Sequence, residues 1–128
     1  MPATRPRLLL IDDESASRDV LSRYLDAKGF DVVGLGDAES ALELLRAERF
    51  DAILLDNSLP GMMGIVALPK LVALTKAPIL MMTGYPAEET YKDAQILGAA
   101  ALLPKPLDLD AAVAALRKLI AAAQSGAS

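Results

Sequence analysis

Short apolar runs alternate with stretches of helical period along this chain, and several runs stop abruptly at a polar residue. Leu8-Leu9-Leu10-Ile11 gives way to Asp12-Asp13-Glu14. Ile53-Leu54-Leu55 gives way to Asp56, and turn formers follow at once in Ser58, Pro60 and Gly61. A short apolar run bounded by turn signals reads as a strand covered on both faces, as parallel sheets require. Strands of that kind alternating with helices mean a parallel sheet wound on both sides.

Taken in order, Arg7 to Ile11 is the first strand. Ser15 to Lys28 has apolar residues at Val20, Leu21, Tyr24 and Leu25, a helical period that Gly29 stops. Asp31 to Leu35 is a second strand around Val32 and Val33. Asp37 is a good N-cap for a helix whose inner face holds Ala41, Leu42 and Leu45. Ala52 to Leu55 is the third strand, and a helix from about Gly64 to Leu74 follows. Pro69 lies inside it, so the helix either starts near Pro69 or is kinked there. Pro78 to Met82 is the fourth strand, ending at Thr83-Gly84-Tyr85. Pro86 suits the first position of a helix to Leu97, with the stripe Tyr91, Ala94 and Leu97. Ala99 to Leu103 is the fifth strand, and Pro104 marks it as an edge or as ending there. Asp108 caps a last helix with the stripe Leu109, Val113, Leu116 and Ile120, and Gln124 to Ser128 reads as frayed.

The fold expected is α/β: a five-stranded parallel sheet, order 2-1-3-4-5, doubly wound with five helices, flavodoxin-like. The 128 residues make one domain, with its core at about residues 7–123 and short polar tails. With 53% apolar residues but no Trp, Leu, Ala, Ile, Val and Met must fill that core. The absence of Cys excludes disulfides, zinc-thiolate sites and thiol nucleophiles. The absence of His removes the usual general base and transition-metal ligand, so a bound metal would be a hard cation such as Mg²⁺ held by oxygens. A net charge of −4 argues against direct nucleic-acid binding. No apolar stretch approaches a membrane span or a signal segment, so a cytoplasmic protein is expected. Gly34-x-Gly36 lacks the third glycine of a nucleotide fingerprint and reads as loop.

Polar groups follow four of the apolar runs: Asp12/Asp13, Asp56, Thr83 and Lys105. In order 2-1-3-4-5 the switch point lies between strands one and three, which sets Asp13 beside Asp56 with Thr83 and Lys105 on the other flank. Each has a plainer reading. Asp56 could close an Asx-turn, and Asp12-Asp13-Glu14 could complement a helix dipole. Thr83 could be an ordinary strand residue, and Lys105 a solvated cation. Clustered carboxylates repel one another unless a cation joins them, however, and Mg²⁺ would do so. Asp56 could then attack phosphorus, with Thr83 and Lys105 meeting the phosphoryl oxygens.

At these residues the chain resembles the response-regulator receiver domain of two-component signalling, the CheY-like family. The resemblance rests on Leu10-Ile11-Asp12-Asp13-Glu14, on Leu55-Asp56-x-x-Leu59-Pro60-Gly61-x-x-Gly64, on Met82-Thr83-Gly84, and on Gly98-Ala99 leading to Lys105-Pro106. It implies that Asp56 is the phosphoacceptor, charged from phosphohistidine of a partner histidine kinase or histidine phosphotransfer protein. It implies Mg²⁺ on Asp13, Asp56 and the Ser58 backbone carbonyl, with Asp12 acting through water. It also implies a cis peptide at Lys105-Pro106, and a downstream protein or a covalently linked effector domain as the receiver of the signal. The switched surface would be the fourth helix, fifth strand and fifth helix.

The chain departs from the family in places. Leu102 stands where Tyr or Phe is usual, without ring or hydroxyl to couple Thr83 to the outer face. Tyr85 replaces commonly smaller or polar residues and is expected to shield Asp56 from water. Gly84 fits a close approach of backbone to the phosphoryl group, and Pro69 is unusual in the third helix.

The leading expectation is therefore a phosphorylation-controlled signalling module, an enzyme at most toward its own phosphorylation and dephosphorylation. A Mg²⁺-dependent phosphohydrolase with an Asp56 nucleophile is a second reading. It would need another carboxylate as acid/base, which Asn57 and Ser58 do not provide. A docking module independent of phosphate is the third.

Overall fold

The computed structural model describes residues 5–84 and 87–126. The elements run β1 (Arg7–Ile11), α1 (Ser15–Ala27), β2 (Asp31–Leu35), α2 (Ala38–Leu45), β3 (Ala52–Asp56), α3 (Gly64–Leu74), β4 (Ile79–Thr83), α4 (Glu88–Ile96), β5 (Ala101–Pro104) and α5 (Leu109–Gly126). The strands form one sheet in the order β2-β1-β3-β4-β5, with every pairing parallel. This is the flavodoxin-like arrangement expected from the sequence.

Strand alternation divides the core in two. Leu9, Ile11, Ile53, Leu55, Ile79 and Met81 face one layer, where they pack on Ala41 and Leu45 of α2, Ala67, Leu68 and Leu71 of α3, and Ala94 of α4. Leu8, Leu10, Ala52, Leu54, Leu80 and Met82 face the other, against Leu21 and Leu25 of α1 and Val113, Leu116 and Ile120 of α5. Both faces of the central strands are thus apolar, which is why they read as continuous runs.

Several boundaries differ from expectation. Val20 is 62% exposed, because Leu21 and Leu25 define the inner line of α1 and Val20 points about 100° away from it. α3, by contrast, has the bounds expected of it, Gly64–Leu74, with Pro69 accommodated inside it on the exposed face. That settles the alternative of a helix beginning near Pro69 against it. α4 runs from Glu88 to Ile96, and only Ala94 of its stripe is buried, while Tyr91 is exposed. β5 begins at Ala101 and includes Pro104, which the edge position tolerates. Helix α5 continues through the polar stretch after Ala123 to Gly126, and the rest of the end expected to fray lies outside the described residues. Asp37 and Asp108 cap as expected, accepting from the backbone N–H of Ser40 (2.7 Å) and Ala111 (3.0 Å).

Candidate functional site

Backbone hydrogen bonding continues one residue past several strands and aligns the residues that follow. Asp12 N–H donates to Leu35 O (3.0 Å), Asn57 N–H to Met82 O (2.9 Å) and Lys105 N–H to Thr83 O (2.7 Å). Asp56 is the register partner of Met82, one residue before Thr83. The carboxyl edge of the sheet therefore brings Asp12, Asp13, Asp56 and Lys105 together, with buried Thr83 at the end of the neighbouring strand.

Asp56 is 2% exposed. Its Oδ1 accepts from the Ser58 N–H at 3.0 Å, and its Oδ2 accepts from Lys105 Nζ at 2.7 Å. Burial pushes the Asp56 carboxyl above its ordinary value, and the nearby Asp12 adds to that. The Lys105 ammonium and the Ser58 N–H oppose the rise without cancelling it. Asp12 is also buried, and its Oδ1 accepts from the Glu14 N–H at 3.0 Å.

One carboxylate oxygen from each of Asp12, Asp13 and Asp56 lies within 4.8 Å of the others. An octahedral Mg²⁺ with bonds of about 2.1 Å keeps its ligands within about 4.2 Å of each other. The donor set thus fits one hard cation after a small inward movement, or with one carboxylate reached through water. Hard, all-oxygen donors of net negative charge suit Mg²⁺ or Ca²⁺ chemically.

Two residues without an expected role shape the loop after Asp56. Asn57 Oδ1 accepts from the Ile65 N–H at 3.0 Å and caps α3 from eight positions before its second residue, a reach that no local spacing rule covers. Gly64 N–H donates to Asn57 O at 2.9 Å, and a Cβ at Gly64 would come within 2.5 Å of Asp56 O. The loop from Asn57 to Gly64 therefore closes on itself only with glycine there. Leu59, buried beneath it, anchors its middle.

The peptide Lys105-Pro106 is cis, as the resemblance implies. Leu102 is half-buried and packs against the core layer beneath α4. A Cβ at Gly84 would meet nothing within 4 Å, so the backbone there faces open space. Tyr85 and Pro86 lie outside the described residues, and with them the expected shielding by Tyr85 and the expected helix start at Pro86. A depression of about 450 Å³ adjoins the acidic cluster between α1 and the loop after β5, lined by Glu14, Ser17, Val20, Lys105, Pro106 and Leu107 among others.

The family model for the response regulator receiver domain matches residues 8–117, which take in all five strands except Arg7 of β1, and the whole acidic cluster. The chain belongs to that family. Among curated relatives, the transcriptional regulatory protein FixJ of Bradyrhizobium diazoefficiens is 34% identical over 125 residues, covering 97% of this chain and 61% of that protein. The first curated relatives are longer, and the receiver chain spans between 26% and 61% of their length. A CheY-like receiver domain from Methanospirillum hungatei superposes with a TM-score of 0.89 at 26% identity, covering 94% of this chain and 98% of that one. A response regulator from Burkholderia pseudomallei, solved with a phosphorylated aspartic acid, a calcium ion and citrate, gives a TM-score of 0.83 at 31% identity over 96% of this chain and 73% of that one. Among the described residues, no helix is long and apolar enough to cross a membrane.

Proposed function

We propose that this receiver domain is a phosphoacceptor switch in which Asp56 takes a phosphoryl group from phosphohistidine on a histidine kinase or histidine phosphotransfer protein. The supporting observation is a buried Asp56 carboxylate grouped with Asp12 and Asp13 and paired with Lys105. A nucleophile, a cation seat and a counter-charge are thereby in one place. The Burkholderia pseudomallei relative, with its phosphorylated aspartic acid and calcium ion, adds support by likeness.

Asp13 and Asp56 would hold Mg²⁺ directly, with the Ser58 backbone carbonyl as third protein ligand and Asp12 reached through water. When bound, Mg²⁺ supplies neutralising charge to the carboxylates and to the phosphoryl oxygens. An Asp56 oxygen attacks phosphorus as the P–N bond to the donor imidazole breaks, and the electron pair leaves with the imidazole nitrogen. The nucleophile is already a carboxylate, so no general base is needed, which suits a chain without histidine. Lys105 Nζ exchanges its bond to Asp56 for one to a phosphoryl oxygen, and the Thr83 hydroxyl donates to another. The surface of α4, β5 and α5 is biased as those two side chains move. Half-buried Leu102 on β5 transmits the change through packing alone.

Residues 1–128 act as one domain, with the core at about 7–123. The downstream partner is a second protein or an effector domain covalently linked to this one, in keeping with the greater length of its relatives. Nucleic-acid contact belongs to such a partner, since this chain carries a net charge of −4. Dependence on a phosphohistidine donor assigns the domain to the cytoplasm. Beryllium trifluoride with Mg²⁺, a stable phosphoryl mimic, tests the switch. Amide resonances of Thr83, Lys105 and the α4-β5-α5 surface should shift in wild type and stay put in Asp56→Asn. Shifts confined to the acidic cluster would reject the switch while keeping the cation site.

A further inference from the structure

Arg18 occupies an unexpected position. It lies on the line of α1 that carries Leu21 and Leu25, the two residues this helix buries. Where the line continues toward the helix N-terminus, an arginine replaces the apolar residue that would extend it. Its side chain runs back along the sheet, and Nη1 donates to the backbone oxygen of Asp12 at 2.7 Å. Its own backbone N–H donates to Glu14 O at 2.9 Å. A single residue thus holds the carbonyls on both sides of Asp13.

The route of that side chain explains Gly34-x-Gly36, which matched no nucleotide fingerprint. Two residues apart, these glycines share a face at the end of β2, the face turned toward α1. A Cβ at Gly34 would lie 3.1 Å from both Cγ and Cδ of Arg18, and one at Gly36 would lie 3.4 Å from its Nη1. Neither glycine has a positive φ, so space and not backbone conformation accounts for them. Because the guanidinium is tied to Asp12 O, the stem cannot give way without loosening that bond.

We infer that Arg18 is a positioning residue that braces the β1–α1 loop for cation binding, with Gly34 and Gly36 clearing its path. Three carboxylates within 4.8 Å repel one another until a cation arrives. A loop free to relax would spread Asp12 and Asp13 away from Asp56, and the brace holds them ready instead. Its consequence rests on the Mg²⁺ reading of the cluster, and outer groups that orient metal ligands commonly carry a tenfold or larger share of affinity.

The test is a calorimetric Mg²⁺ titration joined to amide hydrogen exchange of the metal-free protein. Arg18→Met keeps the stem and removes the guanidinium. It should weaken Mg²⁺ binding roughly tenfold and speed exchange at the Glu14 and Arg18 amides, while Leu9 and Leu54 exchange as in wild type. Gly34→Ala should also weaken binding, yet add nothing in an Arg18→Ala background, where the stem it displaces is gone. Unchanged affinity and loop exchange in Arg18→Met would overturn the brace, as would equal acceleration at Leu54. If wild type binds no Mg²⁺, the cation reading of the cluster fails. The brace then stands or falls on whether Glu14 exchange quickens in Arg18→Met.

Discussion

At Asp56, burial and charge pull in opposite directions. The carboxyl is pushed above its ordinary value because desolvation outweighs Lys105 and the Ser58 N–H. A carboxyl raised in the folded state contributes stability that is full below its unfolded value, near 3.8, and is lost as pH rises through the folded value. Asp56→Asn imitates the protonated form. It should therefore unfold at a higher temperature than wild type at pH 7 in a chelator, with the gap closing below about pH 4. Thermal melts at the two pH values decide it, and a gap of equal size at both would show that ionisation of Asp56 is not its source. The identity of this residue was legible from an apolar run ending in a carboxylate. Its ion pair with Lys105 was not, because the two are far apart in sequence and an approaching phosphoryl group competes for the same ammonium.

Among the elements, the β3–α3 loop is the least forgiving. Gly64→Ala would drive a methyl group against Asp56 O, a backbone atom that cannot turn aside. A destabilisation of about 1–3 kcal/mol is expected, along with a displaced Asp56; a denaturation midpoint unchanged from wild type would contradict it. Asn57→Ala removes the cap on Ile65 and should cost about 1 kcal/mol by the same measurement. Helices with a clear stripe, such as α5, could be read from spacing alone. α3 was expected at its observed bounds, but its spacing left a start near Pro69 open, because almost every residue in Gly64–Leu74 is apolar and Pro69 argued against continuity. Its start is fixed by Asn57 from across a loop, a contact with no local periodicity. Val20 was misread for a related reason, since a stripe of neighbouring apolar residues does not say which of them is central.

For the whole molecule, the parallel sheet gathers an acidic cluster at one edge and leaves it short of positive charge. The sheet order was legible because parallel strands must be buried and their crossovers helical, and those demands mark the chain repeatedly. Ligand-free, the cluster holds self-repulsion that a cation removes. Mg²⁺ at a hundredfold excess over its dissociation constant should stabilise the fold by about 2.7 kcal/mol. Asp13→Asn should abolish most of that gain while raising the metal-free melt slightly, because it removes one of three mutually repelling carboxylates, and an exposed one. Equal stabilisation of Asp13→Asn would move the cation elsewhere.

The most direct test of the account is intact mass after incubation with Mg²⁺ and a small acyl phosphate donor. Wild type should gain one phosphoryl group per chain, a gain lost with a chelator and absent from Asp56→Asn. A phosphoryl group retained by Asp56→Asn, or none acquired by wild type with the donor left unconsumed, would contradict it.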